Sequence, residues 1–129
     1  AHRIALRAVK HLPKTFLMFS STAKRASETA IIFAQNFLYP IENIVFKEEL
    51  YTFDENNLER IVKSLNNRYD NVILFGHNEA ITNFVNKFGD IYIENVPTSG
   101  FVSLKFDSDN WQFIDRGRTI KTLFPKDLK

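Results

Sequence analysis

Two short apolar runs, each passing straight into a polar turn and then into a segment of helical period, constrain this chain most. The first is Thr15-Phe16-Leu17-Met18-Phe19, followed by Ser20-Ser21-Thr22-Ala23-Lys24-Arg25; the second is Val72-Ile73-Leu74-Phe75, followed by Gly76-His77-Asn78. Apolar runs of this length without polar alternation are the pattern of strands buried on both faces. A strand that gives way at once to a helix is half of a strand–helix–strand unit, and such units build parallel sheets. Ligands of open α/β sheets bind in the crevice beyond the carboxyl ends of the strands. The two turns are therefore the first places to look for chemistry.

The rest of the chain fits the same scheme. Residues 2–12 place Ile4, Ala5, Ala8, Val9 and Leu12 at helical spacing, with no capping residue ahead of them. Because Ala1 opens the chain, it reads as a fragment that begins inside a helix. Pro13 breaks that helix and residues 15–19 form a strand. Thr22 is the expected N-cap of a helix over 24–37, whose face carries Ala26, Thr29, Ala30, Phe33, Ala34 and Phe37, and Tyr39-Pro40 closes it. Residues 44–46 read as a short strand. Asp54 is the expected cap of a helix burying Leu58, Ile61, Val62 and Leu65, and residues 71–75 form the second apolar strand. A helix over 79–88 carries Ala80, Ile81, Phe84, Val85 and Phe88 inward and ends at Gly89. Residues 101–106 and 111–114 are expected to pair as a hairpin, leaving 117–129 as a polar tail packed over the surface. The class is α/β: a mainly parallel sheet with helices on both faces and an antiparallel edge hairpin, in one domain over residues 1–129.

Composition narrows the function. The chain is 44% hydrophobic and 25% charged, as expected of a globular domain, with thirteen phenylalanines for its core. No apolar stretch approaches the ~18–20 residues that cross a bilayer, so no membrane role is expected. Zero cysteines leave neither a disulfide framework nor a thiolate metal site. These features are compatible with a cytoplasmic protein without demanding one. A net charge of +2, with the basic residues interleaved among Glu42, Glu48, Glu49, Glu55 and Glu59, is no footprint for nucleic acid.

Among single residues, Arg25 and His77 stand out. A guanidinium is planar, permanently charged and able to donate bidentate bonds to phosphate oxygens. Its turn opens a helix, where free amides and the dipole favour an anion. A cationic imidazole beside a phosphoryl group stabilises the charge that builds on its oxygens. One arginine and one histidine at adjacent strand ends therefore suggest a phosphate site. Ser20 and Ser21 either add donors there or simply cap the helix. Thr98 and Ser99 either overhang the pocket or serve only as a turn, and Asn78 is expected to cap its helix. His2 and His11 read as solvent-facing, and three histidines so separated make no metal site.

Two motifs carry a resemblance. The stretch Ser20-Ser21-Thr22-Ala23-Lys24-Arg25-Ala26-Ser27-Glu28-Thr29-Ala30 resembles the serine-rich, arginine-bearing turn of the histidine phosphatase superfamily. Gly76-His77-Asn78 resembles that superfamily's second histidine motif. The turn Val96-Pro97-Thr98-Ser99-Gly100-Phe101 and the small size are similar to the SixA-like phosphohistidine phosphatase branch.

The resemblance implies a phosphoglycerate-mutase-like sheet and a metal-independent phosphatase with no cofactor. It would act, as a monomer, on a protein carrying phosphohistidine or on a small phosphorylated substrate. A covalent phosphohistidine intermediate forms on the enzyme and water then releases phosphate. Arg25 and His77 are the implied catalytic residues, with Ser20, Ser21 and Thr98 as further phosphate ligands. The nucleophile's Arg-His-Gly/Ala motif is absent from these residues, which places it outside the fragment together with the first central strand. That strand is expected between the neighbours at 15–19 and 71–75. The fragment is thus expected to show no turnover and to aggregate.

Acid-using branches carry a glutamate where this chain has Thr52, after Leu50. A labile P–N bond needs that acid least, which favours phosphohistidine over a sugar phosphate. Glu48 and Glu49 are expected on a solvated edge. The alternative is a noncatalytic phosphate- or phosphoprotein-binding module.

Overall fold

A computed structural model describes residues 2–51 and 55–128. Helix α1 (His2–Ala8) tightens into a 3-10 turn over Val9–His11. Then follow β1 (Leu17–Ser21), α2 (Lys24–Phe37), β2 (Val45–Lys47), α3 (Glu55–Lys63), β3 (Val72–Phe75), α4 (Asn78–Phe88), β4 (Phe101–Lys105) and β5 (Arg118–Leu123). Strands β2, β1 and β3 form a parallel sheet in that order, and β4 with β5 an antiparallel pair beside it. This is the α/β arrangement expected from the apolar runs.

Alternation along β1 shows how the layers are built. Met18 is fully buried in a cluster with Ile4, Ala5 and Ala8 of α1 and Ala30, Phe33 and Ala34 of α2. Its neighbour Phe19 points to the opposite face and joins Leu58, Ile61 and Val62 of α3 with Ala80, Phe84 and Phe88 of α4. Successive strand side chains face opposite ways, so helices must cover both sides. On the first side the rings Tyr39, Phe16, Phe37, Phe33 and Phe75 touch in series, with centroids 5.3 to 6.0 Å apart. Such offset and edge-on pairs suit the ring quadrupole.

Several expectations are corrected. β1 runs two residues further than the 15–19 reading, so Ser20 and Ser21 are strand residues. No strand separates β1 from β3: they pair directly, Leu17 with Val72 through Ser20 with Phe75. Residues 111–114 are not the returning strand. Trp111–Phe113 forms a 3-10 turn capped by Asn110, whose side chain accepts from the Gln112 N–H. The Trp111 indole N–H donates to the Tyr69 carbonyl at 2.8 Å, which fastens this turn to the loop before β3. The returning strand is instead Arg118–Leu123, within the stretch read as a tail.

Helix ends also differ from expectation. Ala23, not Thr22, occupies the N-cap of α2, and Leu38 closes that helix in the left-handed region at φ 57°. Gly89 ends α4 in extended backbone, so its role is steric. A Cβ there would lie 2.5 Å from Thr119 Oγ1 and 2.6 Å from the Val85 carbonyl. Thr52, Asp54 and Lys129 lie outside the described residues.

Candidate functional site

The N-terminus of α2 is built against ordinary helix preferences. Helices favour a polar cap and acidic residues in the first turn, because the first N–H groups lack partners and carry the positive end of the dipole. Here the cap position is Ala23, no side chain caps it, and no first-turn residue is acidic. The first two helical residues are Lys24 and Arg25, both exposed. The adjacent serines do not relieve this. Ser20 is fully buried and its hydroxyl donates to the Ser21 carbonyl at 2.9 Å. Ser21 Oγ accepts from the Ala23 N–H at 3.1 Å, one residue short of the helix. A 14-residue helix thus opens with uncapped amides and two cations together.

His77 follows β3 and caps α4, a role expected of Asn78. Its Nδ1 accepts from the Glu79 N–H at 3.1 Å. The bond turns the ring so that Nδ1 faces the start of α4. Gly76, just before, is not sterically obligatory: a Cβ there would meet the Leu50 carbonyl at 3.6 Å and Ile81 Cδ1 at 3.8 Å.

One stripe of α4 fixes the loop that carries Thr98. Asn78 Nδ2 donates to Thr98 Oγ1 at 3.2 Å. One turn on, the buried Thr82 Oγ1 accepts from the Val96 N–H at 2.9 Å. A further turn on, the Asn86 amide both donates to the Ile93 carbonyl and accepts from the Ile93 N–H, each at 2.7 Å. Residues four apart share a helix face. The spacing 78, 82, 86 is the signal that could have marked these residues in the sequence.

These elements converge on one cavity of about 680 Å³. Ser21, Lys24, Arg25, His77, Asn78, Thr98 and Ser99 line it where β1 and β3 end. His11 also lines it, but precedes β1 and so stands toward the opposite end of the parallel strands, with Asp70 and Asn71. Of the residues singled out from the sequence, Ser21, Arg25, His77 and Thr98 share this cavity. Ser20, Glu48, Glu49 and His2 do not line it. Sequence reasoning passed over Lys24, the Thr82 and Asn86 clasp, and Trp111, whose ring lines the apolar part.

The resolved carboxylate shifts lie away from this mouth. Hydrogen bonds from Lys87 and then Lys63 hold Glu59 below the usual carboxylate range. The Thr119 backbone N–H does the same for Asp90. Among the described residues, no group of three or more His, Cys, Asp or Glu side chains is placed to hold a metal ion. None of their helices is long and apolar enough to cross a membrane.

No family model matches the chain, and no curated protein does. Among solved structures, it is similar to a candidate phosphohistidine phosphatase, SixA, from Agrobacterium tumefaciens. The TM-score is 0.62 at 24% identity, over 96% of this chain and 79% of that one. The likeness at that identity is one of fold.

Proposed function

We propose that the chain belongs to the histidine phosphatase superfamily and forms the phosphate-recognising part of a phosphatase that acts on phosphohistidine. The observation that carries the reading is the opening of α2. An uncapped helix start bearing Lys24 and Arg25 is unfavourable alone and favourable beside a dianion. Arg25 supplies bidentate donors to two phosphoryl oxygens, and Lys24 adds a point charge. His77, whose Nδ1 accepts at the helix cap, lines the same mouth and would meet a third oxygen. Thr98, held by Asn78, closes the other side. The fold likeness to a candidate phosphohistidine phosphatase supports the same reading.

In this reading the attacking imidazole belongs to a segment outside the 129 residues. It takes the phosphoryl group as the P–N bond to the substrate imidazole breaks, and water then attacks the enzyme's phosphohistidine to release phosphate. Arg25 and His77 hold the equatorial oxygens through both steps, which is most of what phosphoryl transfer asks of a protein. A noncatalytic phosphate-binding module is the second reading. It is favoured by the placement of a single imidazole, His77, at the cavity's polar end.

Titration with inorganic phosphate, followed by amide NMR, tests the site. Shifts should concentrate at residues 24–26 and 77–79, and Arg25→Ala should weaken binding at least tenfold. Shifts scattered over the surface, or unchanged affinity in Arg25→Ala, would defeat both readings. Turnover of a phosphohistidine-bearing protein by a chain that includes an added Arg-His segment separates the phosphatase from the binding module.

A further inference from the structure

The rim of the cavity carries one large aromatic side chain that phosphate binding leaves unused. Tyr51 lines the cavity, yet 62% of its surface is exposed. None of the ring pairs among the described residues includes it. β2 runs parallel to β1, so the 3-10 turn that follows β2 (Glu48–Leu50) stands at the carboxyl end of the sheet. Tyr51 closes that turn, on the same edge as Arg25 and His77.

The backbone of Tyr51 is fixed although its ring is open to solvent. Leu50, one residue earlier, is buried in the cluster that holds Phe19, Leu58 and Ala80. The Tyr51 N–H donates to the Glu48 carbonyl at 2.8 Å. From the other side, the Leu50 carbonyl lies 3.6 Å from where a Cβ would stand on Gly76, the residue before His77. The turn bearing Tyr51 is thus seated on the turn bearing His77. An aromatic ring on an anchored backbone loses little freedom when a ligand covers it. Its flat face suits a planar ligand, and its hydroxyl suits the boundary with water.

Lys24, Arg25, His77 and Thr98 answer a phosphoryl group, and none of them tells one phosphoryl carrier from another. We propose that Tyr51 is the specificity residue of the site, its ring stacking on the imidazole that carries the phosphoryl group. The assignment rests on the phosphatase reading above and names the part of the substrate that Tyr51 recognises. In phosphohistidine a ring nitrogen is bonded directly to phosphorus. A phosphoryl group held by Arg25 and His77 therefore brings the ring to the rim with no flexible spacer. Phosphoserine puts a methylene there, which offers no face to stack. Protonation of the second ring nitrogen makes the imidazole cationic, and the face of a tyrosine attracts a cation. Tyr51 thus holds best the form from which the imidazole departs most readily.

The test uses the 129-residue chain and three nonhydrolysable ligands: methylphosphonate, cyclohexylphosphonate and 1-methyl-1,2,3-triazole-4-phosphonate. The triazole is flat, five-membered and aromatic, as imidazole is; the cyclohexyl ring is apolar and has no π-face. Calorimetric titration should show the triazole ligand binding about fivefold tighter than either of the others, the worth of one aromatic pair. Tyr51→Phe should keep that ratio. Tyr51→Leu, which retains apolar bulk, should abolish it. A purely structural Tyr51 would weaken all three ligands together in Tyr51→Leu and leave the ratio intact, which would overturn the proposal. So would equal binding of the methyl and triazole ligands by the parent chain, or a cyclohexyl ligand that binds as tightly as the triazole. Arg25→Ala reads the anion site separately and should weaken all three ligands alike. Methylphosphonate binding that depends on Arg25, with no preference for the flat ring, sinks the Tyr51 assignment alone. Methylphosphonate binding indifferent to Arg25→Ala, or absent, defeats the phosphatase reading and the assignment with it.

Discussion

Asn78, the first residue of α4, holds Thr98 through a 3.2 Å hydrogen bond, and that bond ends a row of three fastenings between this helix and the loop before β4. The row makes the position of Thr98 a property of α4 and not of its own turn. Removing the middle fastening should cost most, because it is buried. Thr82→Val leaves the Val96 N–H without its acceptor, a loss of ~1–3 kcal/mol. Asn78→Ala removes an exposed bond and should cost under ~1 kcal/mol while lowering phosphate affinity a few-fold. Denaturant melts and phosphate titration of the two variants check the order. Equal destabilisation by both would dissolve the distinction between anchor and ligand holder.

The basic start of α2 should set stability against binding. In phosphate-free, low-salt buffer, Arg25→Ala removes a cation from the positive end of a helix and should stabilise the fold by ~0.3–1 kcal/mol. With phosphate present the order should reverse, because only the parent chain gains from the ligand. Thermal melts with and without phosphate read both signs. A variant less stable under both conditions would show Arg25 to be structural.

The glycines at the two ends of α4 should answer differently to alanine. Gly89→Ala places its methyl 2.5 Å from Thr119 Oγ1 and 2.6 Å from a backbone carbonyl, which should cost ~1–3 kcal/mol as β5 is pushed from the helix. At Gly76 the nearest atoms are 3.6 and 3.8 Å away and φ is not positive. Alanine there should stabilise by ~0.4–1 kcal/mol by stiffening the unfolded chain. Equilibrium unfolding of both variants decides. A large loss from Gly76→Ala would place a hidden demand on that turn.

Acid should undo a contact between α3 and α4. Glu59 accepts from Lys87 at 2.6 Å and bonds Lys63 at 3.0 Å. Its folded-state pKa is therefore held below the ordinary 4.5, first by Lys87. A depressed carboxylate stabilises the fold fully above its unfolded-state pKa and loses that contribution as pH falls through the folded value. Partly exposed pairs of this kind are worth ~0.2–1 kcal/mol each. Glu59→Gln should thus be less stable than the parent near neutral pH and equal to it well below 4.5. A gap that persists in strong acid would rule out the ionic account.

What the sequence made legible was local. The apolar run 72–75 and the periodic faces of α2 and α4 are properties of neighbouring residues, and the structure contains them. Arg25 and His77 share a cavity because parallel pairing of β1 with β3 puts both strand ends on one edge. The misreadings concern interactions from afar. Trp111 looks like a strand residue, yet its indole bonds the Tyr69 carbonyl 42 positions earlier. β5 hid because Thr119, Lys121 and Thr122 are polar by type, although each is half-buried. The place of β3 beside β1 depends on the pairing of Leu17 with Val72, and no window of local pattern contains both.

Trp111 is the chain's single tryptophan, and its ring lines the cavity while its N–H is tied to the Tyr69 carbonyl. The molecule thus carries its own optical reporter, pinned beside the end of the cavity away from its polar mouth. Any occupant that dries the ring's exposed side should shift its emission to shorter wavelength, so unlabelled candidates can be screened by intrinsic fluorescence alone.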